Sequence, residues 1–159
     1  MRKLIFIELI EEYEKVNIYS IRFENESHTE YEKFIMQHKE QFKNDLGILA
    51  YRIQRITEDG VFERHFRYEG RCKDRVSAIP SHMDTSKLRV YCICINEGIL
   101  IFGNGGVKRT RTYNVNSILT KFVSTMQEID YQIKLKEKSG AICVAEKELS
   151  GELFIEMKD

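Results

Sequence analysis

The chain has a single proline, no tryptophan and no net charge. One proline in 159 residues leaves no proline-rich linker, and therefore no compositional ground for dividing the chain. A balance of 25 basic and 25 acidic side chains removes any argument for nucleic acid from overall charge alone. No apolar run approaches the roughly 20 residues of a membrane span. The opening stretch Met1–Ile10 is apolar, but acids at Glu8, Glu11 and Glu12 interrupt it and no small-residue cleavage site follows. It is not read as a secretory signal. Cysteines are few, at 72, 92, 94 and 143. They form no Cys-x-x-Cys pair with histidines at matching spacing, so neither a metal nor another cofactor is expected. Cys92 and Cys94 share one face of an expected strand, where free cysteine behaves as a small hydrophobe. Reduced thiols in a cytosolic protein are the expectation.

What is present points to an ordered chain. Hydrophobic residues make up 42% of it, too many for a disordered segment. Its charge is unevenly spread. The window Arg64–Arg111 holds ten Lys or Arg against four acids, a surplus of six positive charges that the rest of the chain offsets. A basic surface on an otherwise acidic protein suits an anionic partner.

The window ends in the most informative stretch. Leu88-Arg89-Val90-Tyr91-Cys92-Ile93-Cys94-Ile95 and Ile99-Leu100-Ile101-Phe102 are separated by Asn96-Glu97-Gly98. Two β-branched and aromatic runs around a short turn predict a hairpin, with Gly98 free to take positive φ in the connection. Gly103, Gly105 and Gly106 are expected to end the second strand. Lys108, Arg109 and Arg111 follow at once, so the hairpin would deliver three cations to one end of a sheet. The glycine run lacks the spacing of a phosphate-binding loop.

Around this hairpin, Leu4–Ile10 and Ile18–Phe23 read as paired strands, with a short helix over Ile5–Tyr13 as the alternative for the first. Ser27 and Glu30 have capping-box spacing. Tyr31, Phe34, Ile35, His38 and Phe42 then recur at helical intervals, and Leu46, Leu49, Ile53 and Ile56 continue as a second helix that ends at Asp59-Gly60. Phe62–Tyr68 alternates as a strand, with bulky residues on both faces. Val76–Ile79 is a short strand closed by Pro80. Val115, Ile118, Leu119, Phe122, Met126, Ile129 and Ile133 form the stripe of a third helix, with Asn114 or Asn116 as its cap and Gly140 as its stop. Ile142–Ala145 and Leu153–Met157 are further strand-like runs, and the two ends of the chain are expected to meet.

The order strand, helix, helix, antiparallel strands, helix resembles the RelE/ParE-like toxins of toxin–antitoxin systems, including the HigB type. Leu88-Arg89-Val90-Tyr91 resembles their core strand, and Lys108-Arg109-Thr110-Arg111-Thr112 the basic segment that follows the next one. The resemblance covers about residues 18–133. It implies a metal-independent endoribonuclease acting on messenger RNA, often on the ribosome, restrained by an antitoxin protein. In that chemistry a base deprotonates a ribose 2′-hydroxyl, which attacks the adjacent phosphorus, and cations offset the phosphate charge. Arg89, Lys108, Arg109 and Arg111 are then the candidate phosphate contacts. His65, Tyr91 and Tyr113 are the candidate proton carriers or stacking platforms, and Arg64 and Arg67 an extension of the groove. Other readings stay open: Tyr91 as a core residue, Arg89 as its buried hydrogen-bonding neighbour, His65 as an exposed strand residue. The alternatives at the level of function are a non-catalytic protein- or nucleic-acid-binding module and a ParE-like topoisomerase poison. A homo-oligomer is compatible with each.

The expected fold is α+β: one domain over 1–159, with an antiparallel sheet packed by an N-terminal helical pair and one long C-terminal helix. Its core would span about 18–133, with additions at 1–17 and 141–159.

Overall fold

A computed structural model of the protein describes residues 2–68, 74–81, 83–108 and 117–158; of Arg2, Ser117 and Lys158 only the backbone is described. The fold is α+β. Strands β1 (Arg2–Glu12) and β2 (Asn17–Phe23) precede helices α1 (Glu30–His38) and α2 (Lys43–Asp59). Then come β3 (Arg67–Tyr68), β4 (Val76–Ile79), β5 (Leu88–Asn96), β6 (Ile99–Val107) and helix α3 (Ser117–Ser139). Three short strands close the chain: β7 (Ile142–Val144), β8 (Leu149–Gly151) and β9 (Phe154–Lys158). No described helix is long and apolar enough to cross a membrane.

Seven strands form one sheet in the order β3-β4-β5-β6-β2-β1-β9, and β7 pairs with β8 apart from it. The β2–β6 pair is parallel, and the other pairs in the sheet are antiparallel. Strand alternation then decides what each face buries. Leu88, Val90 and Cys92 of β5 join Leu100 and Phe102 of β6 against Phe34 of α1 and Leu49 and Ile56 of α2. Tyr91, Ile93 and Ile95 face the other way with Ile99 and Ile101, against Met126, Ile129 and Ile133 of α3. The sheet is thus covered on both sides, which explains the near-continuous apolar runs in its central strands. Full burial of each such aliphatic side chain stabilises the fold by about 1.5–3 kcal/mol.

Helix α1 starts at Thr29, whose hydroxyl accepts from the Glu32 N–H while the Glu32 carboxylate accepts from the Thr29 N–H. The capping box is therefore Thr29–Glu32 and not Ser27–Glu30. Glu30 is drawn inward instead, accepting from Lys33 Nζ at 2.7 Å and Asn104 Nδ2 at 3.3 Å. The expected strand over Phe62–Tyr68 forms only at Arg67 and Tyr68, after a 3-10 turn over Glu63–His65. The glycines do not end the second hairpin strand, which runs on to Val107. Their lack of a Cβ serves close approach: at Gly103 one would stand 2.6 Å from Met126 Sδ, and at Gly105 it would meet the Arg89 carbonyl oxygen. Gly98 is not at positive φ; a Cβ there would collide with the Glu146 carbonyl.

The ends of the chain meet, with β9 pairing antiparallel to β1 from Arg2↔Lys158 to Phe6↔Phe154. The Leu153 carbonyl accepts from the Ile7 N–H at 2.9 Å, so the carbonyls of Phe154 and Glu156 face outward from the sheet. Lys136 Nζ donates to the first at 2.7 Å and Gln132 Nε2 to the second at 2.9 Å. One face of α3 thus covers the edge acceptors of β9. Helix α3 is also tied to the sheet by Asp130, which is fully buried. Its carboxylate accepts from the Arg75 N–H at 2.9 Å and from Arg75 Nε at 2.8 Å.

Candidate functional site

The open end of the β5–β6 hairpin carries two of the cations that the sequence singles out, Arg89 and Lys108. Leu88 pairs with Val107 and Arg89 with Gly106. One step further, the Lys108 N–H donates to the Lys87 carbonyl at 2.8 Å, so two lysines sit side by side where the strands stop. The Lys87 N–H donates in turn to Asp45 Oδ1 of α2 at 2.8 Å. Lys87 is exposed and Lys108 half-buried. Arg89 belongs to the same end of the hairpin, but its side chain is only 8% exposed. Arg109, Arg111 and Tyr113 lie outside the described residues.

Two expected proton carriers are elsewhere. Tyr91 is 3% exposed, in the core beneath α3, because the β5 alternation points it inward with Ile93. It is a core residue and not a surface platform. His65 is 1% exposed. Its Nδ1 stands 2.9 Å from Arg52 NH1 and its Nε2 3.0 Å from Asp59 Oδ2. Arg52 also grips both carboxylate oxygens of Asp84, at 2.8 and 3.0 Å, and Arg64 donates to Asp59 Oδ2 at 2.8 Å. The result is a continuous chain, Asp84–Arg52–His65–Asp59–Arg64, joining α2 to the 3-10 turn and to the 81–87 loop. Burial lowers the His65 pKa; Asp59 opposes that shift and Arg52 reinforces it. The Arg64 hydrogen bond holds the Asp59 carboxyl below its usual range. Arg64 also lies 5.0 Å over the Phe62 ring. Arg64 is engaged by that network, and Arg67 lies on β3, separated from β5 by β4, so neither continues the cationic end of the hairpin.

A cavity of about 340 Å3 opens at the carboxyl ends of β2 and β6. Its origin is topological. These two strands are parallel and adjacent, and their register extends only from Asn17↔Ile99 to Ser20↔Phe102. Beyond it, β2 leads to α1 on one face and β6 leads to α3 on the other. With α1 and α3 packed on opposite faces of the sheet, the crevice lies between them. Ile21, Phe23, Ile118, Phe122 and Met126 wall it, Glu30 and Asn104 supply polar groups inside, and Lys3 and Lys121 are exposed lining residues. Periodicity gave no hint of this cavity, because its carboxylate and its carboxamide stand 74 positions apart.

No family model, no curated protein and no solved structure matches this chain. The reading of its function rests on its own residues.

Proposed function

We propose that this chain is a RelE/HigB-like toxin that cleaves messenger RNA as a metal-independent endoribonuclease. The observation that carries the reading is the gathering of cations at one end of the β5–β6 hairpin. Lys87 and Lys108 are joined there through the backbone, with Arg89 one register step inside. The chain continues from Lys108 directly into Arg109 and Arg111. The element order β2, α1, α2, β4, β5, β6, α3 also agrees with the order on which the resemblance rests. In this reading the 2′-hydroxyl attacks the neighbouring phosphorus once a base has removed its proton. The cations offset charge on the phosphate oxygens, and an acid protonates the departing oxygen. With His65 and Tyr91 inside the protein, Tyr113 is the remaining proton carrier of the original set. An antitoxin protein covering the basic end is the proposed partner, and the cytoplasm, with its translated messages, the proposed setting.

Expression in a bacterial host tests the reading. Wild-type chain should arrest growth and fragment translated messages, and the triple variant Lys108→Ala, Arg109→Ala, Arg111→Ala should do neither while melting at the same temperature. Wild-type protein that neither slows growth nor cuts RNA overturns the enzyme. The burial of Tyr91 and His65 favours a second reading, a non-catalytic module that binds nucleic acid. That module would bind RNA with an affinity that falls steeply with salt and is lost in the triple variant.

A further inference from the structure

We propose that the cavity at the carboxyl ends of β2 and β6 binds a guanine nucleotide. This goes beyond the ribonuclease reading and stands without it. The warrant is the match between the polar groups in the cavity and one nucleobase edge. Glu30 is 4% exposed and lines the cavity. An ionised carboxylate only accepts, and its two oxygens together offer about four acceptor positions. Lys33 Nζ and Asn104 Nδ2 take one each. The remaining acceptors suit a ligand that presents two neighbouring N–H donors, such as N1–H and the N2 amino group of guanine.

Asn104 completes the edge. Its Oδ1 accepts from the Gly105 N–H at 2.7 Å, which fixes the orientation of the carboxamide. Its Nδ2 therefore faces Glu30 and retains a second hydrogen to donate. An acceptor beside the two donors is the pattern of guanine: O6, N1–H, N2–H. Adenine and the pyrimidines do not present it. The walls suit the rest of the molecule. Phe23 and Phe122 offer aromatic surface to the flat ring, and Lys121 offers positive charge to a phosphate. A volume of about 340 Å3 lies within the range of small-molecule pockets.

Calorimetric titration of the full chain with GMP, IMP, AMP and guanosine tests this. GMP should bind, and IMP, which lacks the N2 amino group, should bind at least about fivefold more weakly. AMP should bind more weakly than IMP. Lys121→Ala should weaken GMP and leave guanosine unchanged. Glu30→Gln should weaken GMP without lowering RNA cleavage by the wild-type cations; if that variant fails to fold, the ligand series on wild-type protein decides. No binding of GMP at millimolar concentration, or equal affinity for GMP and AMP, overturns the proposal. GMP binding by a protein that cuts no RNA leaves this site standing and removes the ribonuclease reading alone.

Discussion

Arg52 NH1 meets His65 Nδ1 at 2.9 Å, and a guanidinium can only donate. Nδ1 must therefore accept, which puts the imidazole proton on Nε2, where it is donated to Asp59 Oδ2 at 3.0 Å. A second proton on the ring would set an N–H against an N–H, so the native state holds His65 neutral. Burial between the rings of Phe34 and Phe42 also lowers the His38 pKa.

Both histidines have folded pKa values below their ordinary one near 6.5. The unfolded chain then takes up protons first as pH falls. Stability should be at its plateau above about pH 6.5 and should decline below it. Urea melts at intervals between pH 7.5 and 5 measure this. His65→Gln can still accept from Arg52 and donate to Asp59, so it should reduce the slope and leave the His38 part. A flat profile in the wild-type protein would show that neither pKa is lowered.

Asp130 should matter more than any surface carboxylate. It is fully buried and accepts from both the backbone and the side chain of Arg75. Asp130→Ala should cost roughly 1.5–3 kcal/mol, read as a shift in denaturation midpoint at unchanged slope. A loss below about 0.5 kcal/mol would mean that the Arg75 link is dispensable.

The glycines of β6 should differ in what they tolerate. Gly105→Ala drives a methyl into the Arg89 carbonyl, which is backbone and cannot step aside. Gly103→Ala meets Met126 Sδ at 2.6 Å, the far end of a flexible side chain. The first should cost about 1–3 kcal/mol or more and the second clearly less. Equal costs by thermal melting would contradict the close β5–β6 approach.

Much of the fold was legible because amphipathic helices and buried strands leave periodic marks. Tyr31, Phe34, Ile35 and His38 announced α1, and Met126, Ile129 and Ile133 announced α3. The misses have local physical causes. Ser27–Glu30 and Thr29–Glu32 both fit the capping pattern, and the choice fell to Thr29 because Glu30 is drawn to Lys33 and Asn104. The Phe62–Tyr68 alternation implied a strand, yet the backbone turns at Glu63–His65 and His65 reaches Arg52, 13 positions earlier. Tyr91 stayed ambiguous because both faces of β5 are covered, so alternation could not mark one as surface. β8 is three residues long and too short to carry a period. Of the candidate site, the position of Lys108 past a strand end was readable, and the burial of Arg89 was not.

Removing residues 141–159 should destabilise the protein. Ile155 is fully buried, and its loss uncovers Ile5, its partner across the β1–β9 pair. Deleting a buried aliphatic side chain alone costs about 2–5 kcal/mol. The truncated chain should melt lower and run larger in size-exclusion chromatography, since the bare edge of β1 becomes a template for pairing. Unchanged melting temperature and size would make the segment a dispensable appendage.

The β1–β9 pair also sets the order in which the chain becomes safe during its own synthesis. β1 is made before β9, with about 140 residues between them. At about 5–20 residues per second, the outer edge of β1 waits on the order of ten seconds for its partner. Throughout that interval a neighbouring nascent chain can compete for the edge, and polysomes keep such chains close together. Helix α3 precedes β9, so Lys136 and Gln132 have already left the ribosome when Phe154 and Glu156 arrive. The donors that seal the sheet are therefore in place before the strand they seal.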